Sequence, residues 1–163
     1  MEQTDPQGRV VSQRAIPITL IVIVLALLVA RVALFLTKPA PATTGLIHWI
    51  EPAEAVRLSA ATKKPILYDF TAAWCRPCHM LDEEVFSNPA LAAEINERFL
   101  AVRVVDRQQE EGKNAPVVEE LQRRYTVRGF PTVVFASEEG SERARMEGYG
   151  GREAFERLME RAR

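Results

Sequence analysis

The sequence predicts an α/β domain in which parallel strands are covered by helices and the sheet ends in an antiparallel hairpin, with one long apolar helix ahead of it. Three observations carry this. Short apolar runs alternate with helical patterns from residue 46 onward, in the order β-α-β-α-β-α-β-β-α. Residues 15–37 form a separate apolar stretch whose single charge is Arg31. The only two cysteines, Cys75 and Cys78, lie at a strand-to-helix junction, where a dithiol can close and reopen with little backbone movement.

The apolar stretch comes first. At about 1.5 Å per residue it reaches roughly 35 Å as a helix, enough for a hydrocarbon core of about 30 Å. Pro17 falls in the first turn, where a missing N–H costs little, and Arg31 is near enough to the far end to snorkel. Arg9, Arg14 and the terminal amine face Lys38 across the span, a slight positive-inside bias. The expected order is a cytoplasmic N-terminus (1–14), a transmembrane signal anchor (15–37), a linker (38–45) and an exported domain (46–163). The alternative is a cleaved signal peptide, because residues 40–42 loosely resemble a small-residue cleavage site. Against it stand the length of the run, Arg31 near its end, and Pro41 inside the site.

Within the exported domain, residues 46–50 read as a first strand. Pro52 suits the first turn of a helix whose body is 53–61, and Pro65 forbids its continuation. Residues 66–70 form a short buried strand, and a helix follows from about 75 to 86. Asn88 and Pro89 restart it to Arg98. Residues 99–105 are apolar and β-branched, and 106–115 form a polar loop. Val117, Val118, Leu121 and Tyr125 fall on one helical face. Strands at 132–136 and 143–149 flank a turn at 138–141, and Phe155, Leu158, Met159 and Ala162 stripe a final helix.

Composition narrows the function. With 163 residues, 47% of them hydrophobic and 26% charged, the chain can fold as one domain plus an appendage. Residues 1–44 carry +2 and the remainder −3, a scattered balance with no basic stripe for nucleic acid. Two cysteines cannot staple a scaffold, and a bridge closing so short a loop adds little stability. A metal site is not expected, since only His48 and His79 remain as soft ligands, and no cofactor is implied.

The run Asp69, Phe70, Thr71, Ala72, Ala73, Trp74, Cys75, Arg76, Pro77, Cys78 resembles the active-site strand and turn of the thioredoxin fold. Gly129, Phe130, Pro131, Thr132 looks like that family's cis-proline loop, and Gly148 matches a glycine that admits a partner closely. The resemblance covers residues 46–163. Within the superfamily, the run from Asp69 to Trp74, with Met80 to Phe86 after it, looks most like the periplasmic C-terminal domain of DsbD-type thiol:disulfide interchange proteins. Single-span thioredoxin-like proteins of cytochrome c maturation are similar in architecture. Two positions depart. His79 stands where many relatives have lysine, and the strand lysine of many thioredoxins has only Val102 and Arg103 as nearby candidates.

Cys75, at a helix N-terminus beside Arg76, is expected to be the exposed nucleophile, and Cys78 the shielded resolving thiol. Pro77 stiffens the turn and tunes the potential, though Arg-Pro alone does not give the sign. Asp69 is either a strand carboxylate bonded to backbone or a buried acid that takes the Cys78 proton, and the resemblance favours the second. Trp74, Phe130, Pro131 and Gly148 are the expected substrate-binding residues. The resemblance implies a reductant of exported protein disulfides, recharged by a membrane electron donor and anchored in the inner membrane with its domain in the periplasm. A disulfide oxidase or isomerase, or a Cu(I)-handling assembly factor using the same cysteines, is the alternative.

Overall fold

A computed structural model describes residues 18–36 and 45–162. The expected N-terminus 1–14 lies outside the described residues, as does the linker except for Gly45. Helix α1, Ile18–Leu36, belongs to a unit separate from the one that begins at Thr43. Its described side chains from Leu20 to Leu28 are all exposed. Among the described residues no helix is long and apolar enough to cross a membrane. The expected span over 15–37 is therefore not supported here, and its ends at 15–17 and 37 lie outside the described residues.

The second unit is a four-stranded sheet in the order β2-β1-β3-β4. Strand β1 (Ile66–Ala72) runs parallel to β2 (Leu100–Asp106) and antiparallel to β3 (Thr132–Ala136), which pairs antiparallel with β4 (Glu142–Glu147). As the central strand, β1 is buried at every position. Alternation along it sends Ile66, Tyr68 and Phe70 into a core with Val102, Leu121 and Val134. Leu67 enters the opposite core with Leu81, Val85, Ile95, Phe135 and Phe155. Asp69, two residues beyond Leu67, shares that second face.

The helices follow local sequence. Pro52 opens α2 (Pro52–Thr62), and Pro89 opens α4 (Pro89–Arg98), whose cap Asn88 accepts hydrogen bonds from the amides of Ala90 and Leu91 at 3.0 and 3.2 Å. Helix α3 (Arg76–Leu81) passes into a π-helical turn, Asp82–Phe86, that ends the expected helix with Val85 and Phe86 in the core. A short α5 (Gln108–Glu111) interrupts the expected loop. On α6 (Pro116–Arg124), Val118 is partly buried ahead of buried Leu121 and Tyr125; Val117, expected on that face, is exposed. The stripe on α7 (Arg152–Arg161) is buried as expected.

The expected first strand is reduced to one parallel bridge, Trp49 to Ala101. Its backbone is occupied otherwise. The His48 amide donates to Asn96 Oδ1 at 2.9 Å, and Asn96 Nδ2 donates to the Leu46 carbonyl at 2.8 Å. With those groups held by a side chain, a ladder cannot extend toward residue 46.

Candidate functional site

Strand β1 ends at Ala72 and the chain turns into α3 through Ala73 and Trp74. Cys75 is the cap residue of α3, and its Sγ accepts the Cys78 amide at 3.2 Å. The two cysteines form a disulfide. Arg76 and Pro77, the first residues of the helix, are exposed between them.

The expectation that Cys75 is exposed needs correction. In the disulfide form Cys75 and Cys78 are 2% and 3% exposed. The two cysteines form a buried cluster with Ala72, and Phe130 packs against that cluster. Beside exposed Arg76 and Pro77, Trp74 is 50% exposed, and its indole meets the Phe130 ring edge-on at 5.9 Å. His79, left out of the catalytic set, places Nε2 2.9 Å from the Ala73 carbonyl and so ties α3 to the preceding turn.

Phe130–Pro131 is a cis peptide bond. The Pro131 carbonyl accepts the Gly148 amide at 2.8 Å, which joins this loop to the end of β4. Gly148 has φ +73°, and a Cβ there would meet nothing of this chain within 4 Å. Backbone conformation, not crowding within the chain, is what requires glycine. Gly148→Ala is expected to lower stability by about 1–2 kcal/mol, read as a lower urea midpoint with an unchanged m-value.

Strand β1, which leads into the disulfide turn, also carries a buried charge. Asp69 is 2% exposed and pairs in strand register with Arg103, whose Nε donates to Asp69 Oδ2 at 3.0 Å. A second arm of the guanidinium bonds Asp82, in the π-helical turn. The same guanidinium sits 4.2 Å above the Trp49 ring. Asp69 Oδ1 is buried without a hydrogen-bond partner. Burial pushes the Asp69 carboxyl up to about 6; Arg103 opposes this, and the Asp82 charge adds to it.

Sequence reasoning named Arg103 only as one of two candidates, and missed Asp82 and Trp49. Only the strand register brings Arg103 opposite Asp69: each is the fourth residue of its observed strand, whereas the expected strand start at residue 99 puts Arg103 one place out. Nothing in residues 46–50 announced that Trp49 would cover a cation.

Residues 52–163 match the family described as a thioredoxin-like domain. Thiol:disulfide interchange protein DsbD 2 of Pseudomonas aeruginosa is 34% identical over 111 residues, which are 66% of this chain and 18% of that protein. Disulfide bond reductase DsbH of Chlamydia pneumoniae is 27% identical over 114 residues, 68% of this chain and 69% of that protein. A solved DsbH oxidoreductase superposes with a TM-score of 0.64 at 26% identity, covering 78% of this chain and 91% of that one. The chain thus spans less than a fifth of the DsbD 2 relative and about two thirds of the DsbH one.

Proposed function

The chain belongs to the thioredoxin-like domain family, and from that premise we propose that this disulfide oxidoreductase acts as a reductant of exported protein disulfides. The observation that carries the reading is the buried Cys75–Cys78 disulfide at the start of α3. Cys75 is the nucleophile. Its sulfur already faces the Cys78 amide, a donor that steadies a thiolate at a helix N-terminus. Cys78 resolves the mixed disulfide, with Asp69 as the base that takes its proton.

Trp74, Phe130, Pro131 and Gly148 form the docking surface for the partner chain. Arg76 and Pro77 tune the pair. The direction of electron flow is supported by relatives named for thiol:disulfide interchange and for disulfide bond reduction. The apolar composition of residues 15–37 supports a single-pass anchor in the inner membrane, with the domain in the periplasm and a membrane electron donor to recharge it.

Equilibration of the full chain with glutathione tests the direction. The expected reduction potential lies toward the thioredoxin end of the scale, about −270 mV; a value near about −120 mV would assign the protein to the oxidants.

A further inference from the structure

We propose that Tyr149 is a specificity-determining positioning residue. Its hydrogen bond to Glu84 straps the Gly148 side of the docking surface to the helical segment that carries the cysteines. The strap favours disulfides held on an extended polypeptide over small ones. The inference rests on Pro131 and Gly148 meeting the partner chain, as proposed above.

Residues 148–151 read Gly-Tyr-Gly-Gly, so Tyr149 alone brings a side chain to the connection between β4 and α7. Three glycines in four residues make this backbone costly to order. Gly148 and Gly151 lie at positive φ, +73° and +89°. Gly150 and Gly151 border an open groove lined also by Glu83, Ser87 and Asn88. The Tyr149 ring packs against the core that holds Phe86 and Phe155, and its hydroxyl donates to Glu84 Oε2 at 2.7 Å.

The bond joins two parts of the site. Glu84 lies in the π-helical turn that continues α3, six residues beyond Cys78. Tyr149 follows Gly148, whose amide donates to the Pro131 carbonyl at 2.8 Å. The Phe130 arm of the docking surface is held by packing against the disulfide cluster. The Gly148 arm is exposed, with open space where a Cβ would stand, and it reaches the helical segment through the tyrosine hydroxyl.

Burial, and then the Glu84 carboxylate, push the Tyr149 hydroxyl up from its ordinary value, so it stays a donor at neutral pH. A partner chain running past Pro131 and Gly148 meets backbone that is already fixed. The ordering that binding would otherwise cost is made in advance. A small disulfide needs only the sulfur of Cys75 and gains nothing from the Gly148 arm.

The test uses the full chain in detergent, with insulin as the protein disulfide, dithiothreitol as the electron source and an aromatic disulfide as the small one. Tyr149→Phe keeps the packed ring and removes the donor. Its KM for insulin should rise about fivefold with kcat within about twofold of native, the pattern of lost uniform binding. Its reaction with the aromatic disulfide should match native. Glu84→Ala should reproduce the rise, and Glu84→Gln, which keeps an acceptor, should largely avoid it. The double variant Tyr149→Phe, Glu84→Ala should be no worse than either single one. A native KM for insulin in Tyr149→Phe, or an equal loss with the aromatic disulfide, overturns the inference. Amide exchange gives a readout free of substrate. The Gly148 N–H should exchange about fivefold faster in Tyr149→Phe, and an unchanged rate overturns the strap. Insulin left intact by a native protein that reacts with the aromatic disulfide refutes the docking surface itself, a failure read on the native protein alone.

Discussion

Cys78→Ser is expected to turn the protein from a catalyst into a trap. Cys75 still attacks a partner disulfide, so one sulfur–sulfur bond breaks and a bond between Cys75 and the partner forms. The second exchange then has no internal thiol. An intramolecular group has an effective concentration far above any millimolar external thiol, so turnover with a disulfide substrate should fall by about a thousandfold or more. Mixed disulfides should accumulate instead, visible on non-reducing gels and lost on reduction. Cys75→Ser should form none. If Cys78→Ser gives no adducts while Cys75 remains open to alkylation, exchange through Cys75 is excluded.

The burial of both sulfurs gives this result a structural edge. In the disulfide form neither cysteine offers surface to a reagent. Around the disulfide Trp74 is exposed, edge-on against Phe130, which packs in the same cluster as the disulfide, and Arg76 and Pro77 are exposed as well. A partner therefore meets aromatic surface together with the Arg76–Pro77 turn. Adducts on Cys78→Ser should consequently favour partners presenting extended apolar segments beside their disulfide.

The parts of this arrangement legible in the sequence are those written in contiguous residues. Prolines at 52, 65 and 89 punctuate the helices, β1 reads as an apolar run, and Trp74 to Cys78 is a local motif at the junction of strand and helix. The parts that were not legible depend on contacts distant in sequence. Residues 46–50 have strand composition, yet Asn96, about fifty positions away, holds their backbone groups. A place at a helix start predicts an exposed Cys75, but the cluster that buries it includes Phe130, more than fifty residues on, at the entry to β3. Arg103 is one of many arginines until register sets it opposite Asp69, and only then does the Asp82 arm give it a second role.

Asp69→Asn is expected to stabilise the fold at neutral pH while slowing resolution of the mixed disulfide. An unfolded aspartate titrates near 3.9, whereas the native carboxyl is pushed to about 6, first by burial. Between those values the native state binds the proton more tightly than the unfolded chain does. The stability from this group is therefore fully present below about pH 4, declines as pH rises toward 6, and stays lost above it. A shift of about two units corresponds to roughly 3 kcal/mol as an upper figure.

Asparagine has no such titration. Its carbonyl can still accept the Arg103 Nε–H, and Arg103 keeps Asp82, although the attraction between full charges is gone. Because burial outweighs Arg103 in setting the Asp69 shift, the balance favours the variant by about 1–3 kcal/mol above pH 7. Urea unfolding at several pH values would show the two proteins converging as pH falls from 6 to 4. A variant less stable than the native protein at pH 8, or a difference that does not change across that window, would mean that Arg103 dominates and Asp69 is held ionised without cost. A stabilised variant with slow resolution would instead show that the fold keeps a destabilising carboxylate where Cys78 must lose its proton.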